Sequence, residues 1–132
     1  MRVITLREPW ASLVLYGIKS IETRSWYTSY RGELFIHAGK HPVSKKDNLL
    51  NFVTELLPNT DYFYGKIILK CVLEDCIQID ETFAQNVKQL DPLNYICGDF
   101  SSGRYAWMLN DIKAISPITA IGHQGIWKYN ER

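Results

Sequence analysis

The sequence predicts an α+β fold, a small mixed β-barrel with flanking helices formed by a single domain over residues 1–132. Apolar, β-branched and aromatic residues recur in short runs that are typical of strands. Two longer segments with helical periodicity interrupt these runs, and the irregular spacing argues against repeated βαβ units. A chain of 132 residues with 46% hydrophobic and 22% charged residues also has the size and balance of one globular domain.

The N-terminal segment predicts a strand followed by a short helix. Residues 2–6 alternate apolar and polar side chains, as expected of a strand. Residues 9–16 place apolar side chains at helical spacing, and Pro9 suits the first turn because its missing N–H is not needed there. Gly17 suits the position after the helix, where the chain often turns left-handed. Trp10 falls on the apolar side of this helix and is expected in the core.

A compact group of charged residues follows this turn. We predict a strand over residues 21–26, in which alternate side chains share a face. Glu22, Arg24 and Trp26 then point the same way. Lys19 lies at the mouth of the turn. Such residues form either an ordinary surface ion pair, which contributes about 0–1 kcal/mol, or the wall of a polar ligand site. The spacing alone leaves both interpretations open.

The rest of the chain follows the same two periodicities. Strands are predicted at residues 33–38, 64–79 (with a bend), 104–112 and 126–129, and helices at 43–57 and about 81–90. Ser44 is the expected N-cap of the first of these helices, and Asp80 belongs to the cap of the second. Residues 92–103 are rich in turn formers, with a short element near 95–97. A separate short piece is predicted at 115–119.

Composition argues against several classes of protein. The net charge of +1 provides no overall positive field for nucleic acid, although Lys40, His41, Lys45 and Lys46 form a local basic cluster. Three cysteines without a C-x-x-C pair argue against a disulfide framework and favour a reducing, cytoplasmic location. The sequence shows no signal peptide and no apolar run long enough to span a membrane, so we expect no membrane partner.

The sequence contains none of the common catalytic or cofactor-binding motifs that we considered. The sequence lacks a nucleophile elbow, a phosphate loop, an H-E-x-x-H pair and a dinucleotide fingerprint. His37 and His41 would share a face on a helix, which Gly39 and Pro42 disfavour. We therefore expect no metal and no cofactor.

Several motifs resemble those of the ASCH domain family, which belongs to the PUA-like superfamily. The chain carries Pro9-Trp10-Ala11-Ser12-Leu13, the family signature Gly17-x-Lys19-x-x-Glu22-x-Arg24, the run Arg31-Gly32-x-Leu34-x-Ile36 and, more loosely, Trp107-x-Leu109 and Gly122-x-Gln124-Gly125-x-Trp127. The pattern is most similar to the version of the domain in a transcription coactivator that interacts with the thyroid receptor. The resemblance spans nearly the whole chain.

This resemblance implies a PUA-like β-barrel with flanking helices and an RNA, nucleoside or nucleotide ligand in a cleft beside the signature. The ligand-binding residues that it implies are Lys19, Glu22 and Arg24 in the cleft, Trp26 and His37 in its wall, and Lys40, Lys45, Lys46 and Arg104 on phosphates. Aromatic stacking contributes roughly 1–3 kcal/mol per base, and phosphate contacts weaken as salt rises.

Two other functions remain open. One is a small hydrolase of a modified nucleoside or of RNA, in which Lys19 and Glu22 form the acid/base pair. A bacterial branch of the family hydrolyses the acetyl amide of N4-acetylcytidine but has Thr at the position of Glu22, and another branch has ribonuclease activity. The other function is an adaptor that binds a protein partner through an exposed apolar patch.

Overall fold

The computed structural model describes residues 1–44, 46–58 and 61–130, and the side chains of residues 48–50 lie outside that description. Six strands and four helices follow one another in this described part of the chain. They are β1 (Arg2–Leu6), α1 (Trp10–Leu15), β2 (Ile21–Arg24), β3 (Gly32–Ala38), α2 (Asn48–Thr54), β4 (Lys66–Gln78), α3 (Glu81–Leu90), α4 (Pro92–Ile96), β5 (Tyr105–Thr119) and β6 (Ile126–Lys128).

The strands form one curled sheet in the order β2-β5-β4-β3-β1-β6. β1 and β3 are parallel, and the other neighbouring pairs are antiparallel. Arg24 on β2 donates from Nη2 to the carbonyl of Thr5 on β1 at 2.8 Å, although three strands separate them in the sheet. In a flat sheet four steps of about 4.8 Å would hold these strands roughly 19 Å apart. The sheet must therefore curl, which confirms the α+β class and the barrel-like shape.

The two longest strands carry the bends of the sheet. β4 and β5 pair along most of their length, with register shifts at three places. These irregularities account for the predicted bend in β4, because bulges sharpen local twist. The predicted break between 104–112 and 115–119 is wrong, since β5 runs through both segments. Pro117 is compatible with this strand because the described pairing of β2 with β5 ends at Met108, so Pro117 has a neighbour on one side.

The core lies on both faces of the sheet. On β3, Leu34 and Ile36 are buried in the main cluster together with residues of β1, α1, β4 and β5. Phe35 points the other way and packs with Val3 and Trp127 in a second cluster. The alternation predicted for residues 33–38 is therefore confirmed, and both of its faces are covered.

The helices correct two boundaries. The helix expected over 43–57 spans Asn48–Thr54, so Ser44 lies three residues too early to be its N-cap. The Ser44 hydroxyl instead accepts from the backbone N–H of Lys46 at 3.3 Å, a local bond that competes with helix formation. Asp80 does cap α3, because its carboxylate accepts from the N–H of Phe83 at 2.8 Å. The short element expected near 95–97 is α4, which begins at Pro92.

Candidate ligand-binding cleft

The signature begins with a turn that ends α1. Gly17 has φ +77°, and its N–H donates to the carbonyl of Val14 at 3.0 Å. The N–H groups of Ile18 and Lys19 both donate to the carbonyl of Leu13. A left-handed residue at this point reverses the chain and turns the next side chains toward the body of the domain.

This turn buries Lys19, whose side chain is 1% exposed. Its Nζ donates to the carbonyls of Ile21 and Cys97 at 2.8 and 2.6 Å, and lies 3.4 Å from Oε1 of Glu22. These three acceptors offset the cost of removing an ammonium from water. Lys19 thus lies beneath the cleft and is not among its lining residues, whereas the resemblance implied that it lines the cleft together with Glu22 and Arg24.

Glu22 lies on β2 between two cations, Lys19 and Arg24. Its Oε1 faces Lys19, and its Oε2 lies 3.2 Å from Nε of Arg24. Glu22 and Arg24 share a face, as alternate strand positions predict, while Ile21 and Thr23 are buried on the other. The predicted strand over 21–26 ends at Arg24. Glu22 keeps 13% of its side chain exposed, so the carboxylate is held from two sides yet remains open to the cleft.

Arg24 connects β2, at one edge of the curled sheet, to β1, the strand next to the opposite edge. Its Nη2 donates to the carbonyl of Thr5, while its buried Nε faces Glu22 without the alignment of a hydrogen bond. The Arg24 side chain as a whole is 24% exposed. One face of this side chain is therefore structural, and the remainder borders the cleft.

The cleft beside these residues has a volume of about 390 Å³, within the range that small-molecule sites occupy. It is lined by Thr5, Leu6, Arg7, Trp10, Glu22, Thr23, Arg24, Ser25, Trp26 and Arg104. Trp10 and Trp26 are both half-buried. Trp26 packs edge-on against Trp107 with ring centroids 4.8 Å apart, and the Trp10 ring lies 5.6 Å from Nζ of Lys19. The cleft therefore combines two aromatic rings with a charged floor.

Neighbouring cavities extend the cleft into a longer groove. On the side of α4 a cavity of about 340 Å³ shares Trp10 and Glu22 with the cleft. On the opposite side a cavity of about 450 Å³ shares Arg24 and Trp26 and continues along His123, Gln124 and Gly125. A fourth cavity of about 480 Å³ follows beyond Gln124 and reaches His37 and Lys40. Shared lining residues thus connect these cavities into one groove.

His37 lies at the far end of this groove and is 1% exposed. Its Nε2 lies 2.8 Å from the carbonyl of Ala120, which can accept but not donate, so Nε2 carries the proton. Its Nδ1 then accepts from the Thr5 hydroxyl at 3.1 Å, and that hydroxyl accepts from Nε1 of Trp127 at 3.1 Å. Burial lowers the pKa of His37. The residue is a neutral internal link and does not line the cleft beside the signature.

The basic residues named from the sequence do not gather in one place. Arg104 borders the cleft, where its Nη2 donates to the carbonyl of Thr23 and its Nε to that of Asp99. Hydrogen bonds from Ser101 lower the pKa of the Asp99 carboxyl, with a smaller contribution from Arg104. Lys40 borders the fourth cavity. Lys46 is exposed and borders none of the four cavities described above, and Lys45 lies outside the described residues.

Sequence reasoning missed several residues of the groove. Trp10 packs against two core clusters, as its helical spacing predicted, but its ring also borders the cleft, which the sequence did not indicate. Thr5 is an ordinary polar residue of its strand and carried no signal. The available indication for Trp10 and Gln124 was that both belong to motifs shared with the family.

Other kinds of site find little support in the described residues. Across 1–44, 46–58 and 61–130, no group of three histidine, cysteine or acidic residues stands together as a metal site would require. The three cysteines, Cys71, Cys76 and Cys97, are buried free thiols, and burial raises the pKa of Cys71 to about 12. Helices long and apolar enough to cross a bilayer are also absent from this part of the chain.

Comparisons with known proteins agree on one family. The model of the ASCH domain matches residues 4–119. Activating signal cointegrator 1 from Homo sapiens is 39% identical over 107 residues, which are 71% of this chain and 18% of that protein. The Mus musculus protein of the same name is 40% identical over 100 residues, 67% and 17% of the two chains. The chain thus spans less than a fifth of the length of these curated relatives.

Solved structures show the same fold. The crystal structure of ASCH from Zymomonas mobilis superposes with a TM-score of 0.55 at 19% identity, covering 89% of this chain and 72% of that one. A point mutant of that protein gives a TM-score of 0.56 at 18% identity, covering 89% and 74%. These values show that the chain shares the fold of the solved ASCH structures.

Proposed function

Because the chain belongs to the ASCH domain family, we propose that it is an RNA- or nucleotide-binding domain whose ligand occupies the cleft above Lys19. One observation carries this proposal: two half-buried tryptophans, Trp10 and Trp26, border the same cleft as Glu22 and Arg24. Flat aromatic surfaces beside polar groups suit a nucleobase, which has apolar faces and a polar edge.

The charges of the groove support a short single-stranded ligand. Arg24 and Arg104 border the central cleft, and Lys40 borders the fourth cavity. A groove that tracks a strand past aromatic rings and cations is the usual arrangement for single strands. The net charge of +1 argues against a long duplex, which rewards an extended positive surface.

Binding fits the geometry better than hydrolysis by Lys19. An acid or base must reach the ligand, directly or through one water. The Lys19 ammonium is turned toward the carbonyls of Ile21 and Cys97, under the floor of the cleft. Glu22 does border the cleft, so hydrolysis remains an outcome to be tested, as does the binding of a protein partner.

The test is a fluorescence titration with single-stranded RNA octamers and with nucleoside monophosphates. We expect saturable binding that weakens between about 50 and 200 mM salt, because phosphate contacts release counterions. Tryptophan emission should change on binding because Trp10 and Trp26 border the cleft. Chromatography of the same samples detects any product, and product would assign a hydrolase instead.

Arg24→Gln should weaken binding about tenfold, since it removes one charged contact from the cleft. Lys113→Gln is the matched control, because Lys113 is exposed on β5 and borders none of the four cavities. No binding of either probe class, or equal losses in both variants, would contradict the proposed function.

A further inference from the structure

We propose that Glu22 makes the cleft selective for bases that carry an amino group on their pairing edge. The inference rests on the proposed function and deepens it by naming the feature of the base that is recognised. It starts from the way that the Glu22 carboxylate is held between two cations at the border of two cavities.

The Glu22 carboxylate is oriented before any ligand arrives. Lys19 approaches Oε1 from below at 3.4 Å, and Arg24 approaches Oε2 at 3.2 Å. Both cations are themselves anchored to backbone carbonyls, Lys19 on Ile21 and Arg24 on Thr5. A carboxylate held in this way loses little conformational entropy when it binds a ligand, so little of the binding free energy is spent on ordering it.

The carboxylate also has acceptor capacity left over. An ionised carboxylate offers about four lone-pair sites, and the two neighbouring cations face one oxygen each. Apart from these two ion pairs, the Glu22 carboxylate has no hydrogen-bond donor in the described part of the chain. Because Glu22 borders both the central cleft and the cavity toward α4, its remaining acceptor sites face the groove.

An acceptor-only group selects its ligand by chemistry. It attracts N–H donors and repels phosphate and carbonyl oxygens. Cytosine, adenine and guanine present an exocyclic amino group on the edge that single strands leave free. At the corresponding position uracil has a carbonyl and hypoxanthine a C–H, so the donor that each keeps on this edge is a single ring N–H beside a carbonyl oxygen, which the carboxylate repels. Phosphates are thereby directed away from Glu22 toward Arg104 and Lys40.

The aromatic rings place such a base within reach of the carboxylate. Trp10 borders the two cavities that Glu22 borders, and Trp26 borders the central cleft with them. A base stacked on either ring lies parallel to that ring, so its edges point sideways along the cleft. Glu22 borders the same cleft and offers its carboxylate to such an edge.

Two matched ligand pairs test the inference with the intact protein. Octamers of cytidylate and uridylate compare an amino group with a carbonyl, and guanosine and inosine monophosphates differ by one amino group. We expect the amino-bearing member of each pair to bind about five- to tenfold more tightly, the size expected for one charge-assisted hydrogen bond. Equal affinities within both pairs would overturn the inference while leaving the proposed function intact.

Glu22→Gln should bring both ratios close to one, because an amide offers a donor as well as an acceptor. Glu33→Gln removes the same charge from an exposed position on β3 that borders none of the four cavities, and should keep the ratios. A preference that survives in folded Glu22→Gln, checked by circular dichroism, would overturn the inference. Failure of every ligand to bind wild-type protein would instead overturn the proposed function.

Discussion

At the scale of single residues, Lys19 shows how burial changes the role that a motif suggests. Its spacing from Glu22 resembles an acid/base pair, but its ammonium is surrounded by the carbonyls of Ile21 and Cys97 and one carboxylate oxygen. Those contacts replace water around a charge in the interior. Lys19 therefore supports the cleft from beneath and fastens the turn after α1 to the C-terminal end of α4.

Lys19→Met keeps the length of the side chain and removes the charge. It leaves two buried carbonyls and the Glu22 carboxylate without their donor, so we expect the free energy of unfolding to fall by about 3 kcal/mol. Urea denaturation followed by tryptophan fluorescence measures this loss. Lys113→Met, an exposed substitution of the same kind, should change the free energy by less than about 0.5 kcal/mol. Equal losses in the two variants would contradict the structural role of Lys19.

At the scale of elements, the unit formed by α1, its terminal turn and β2 constructs the site. Gly17 reverses the chain, Lys19 anchors it, and β2 then presents Glu22 and Arg24 on one face. α1 contributes Trp10 to the adjoining wall. This unit brings its functional side chains to one cleft because the end of a helix, a left-handed residue and an alternating strand follow one another within 15 residues.

Gly17→Ala should destabilise the domain through its backbone alone. Gly17 has φ +77°, and among the described residues no atom lies within 4 Å of an added Cβ. Strain in the left-handed region costs about 1–2 kcal/mol for alanine, whereas asparagine tolerates it better. Thermal unfolding should therefore rank glycine, asparagine and alanine in decreasing order of stability. An alanine variant as stable as wild type would contradict the conformation of this turn.

At the scale of the whole molecule, a chain of hydrogen bonds joins the strands that close the groove. Trp127 on β6 donates to Thr5 on β1, Thr5 donates to His37 on β3, and His37 donates to the carbonyl of Ala120 after β5. Each of these hydrogen bonds has one donor and one acceptor, and Nδ1 of His37 can accept from Thr5 only while the imidazole is neutral. Protonation of His37 at low pH would therefore break the hydrogen bonds at the far end of the groove.

The stability of the domain should fall as the pH falls below about 6.5. Burial lowers the pKa of His37 below its ordinary value of 6.5, so the unfolded chain takes up a proton before the folded chain does. The stabilisation is complete above the unfolded pKa and is lost toward the lower folded pKa. One histidine contributes at most about 1.4 kcal/mol per pH unit.

Urea denaturation between about pH 5 and 7.5 measures this dependence. His37→Gln should flatten the curve over this range, whereas His41→Gln, at an exposed position, should leave it unchanged. A curve that keeps its slope in His37→Gln would assign the dependence to another group.

Much of the fold could be predicted from the sequence because local rules governed it. The alternation at 33–38, the cap at Asp80 and the turn at Gly17 depend on neighbouring residues, and each is present as expected. The start of α2 was misplaced because Ser44 closes a local turn instead of a helix. The continuity of β5 through Pro117 was missed because it depends on which edge of the strand is paired. The periodicity of side chains along a segment does not indicate which strands will pair with it.

By itself, the sequence determined the fold class, the order of most elements and the shared face of Glu22 and Arg24, since these follow from short-range periodicity and backbone preference. Only the tertiary structure decided that Lys19 lies under the cleft, that Trp10 borders it and that His37 belongs to a separate network. Those outcomes follow from the curling of the sheet, which brings residues from distant strands together. Contacts between residues far apart in the chain decide which side chains face solvent, and no local pattern encodes them.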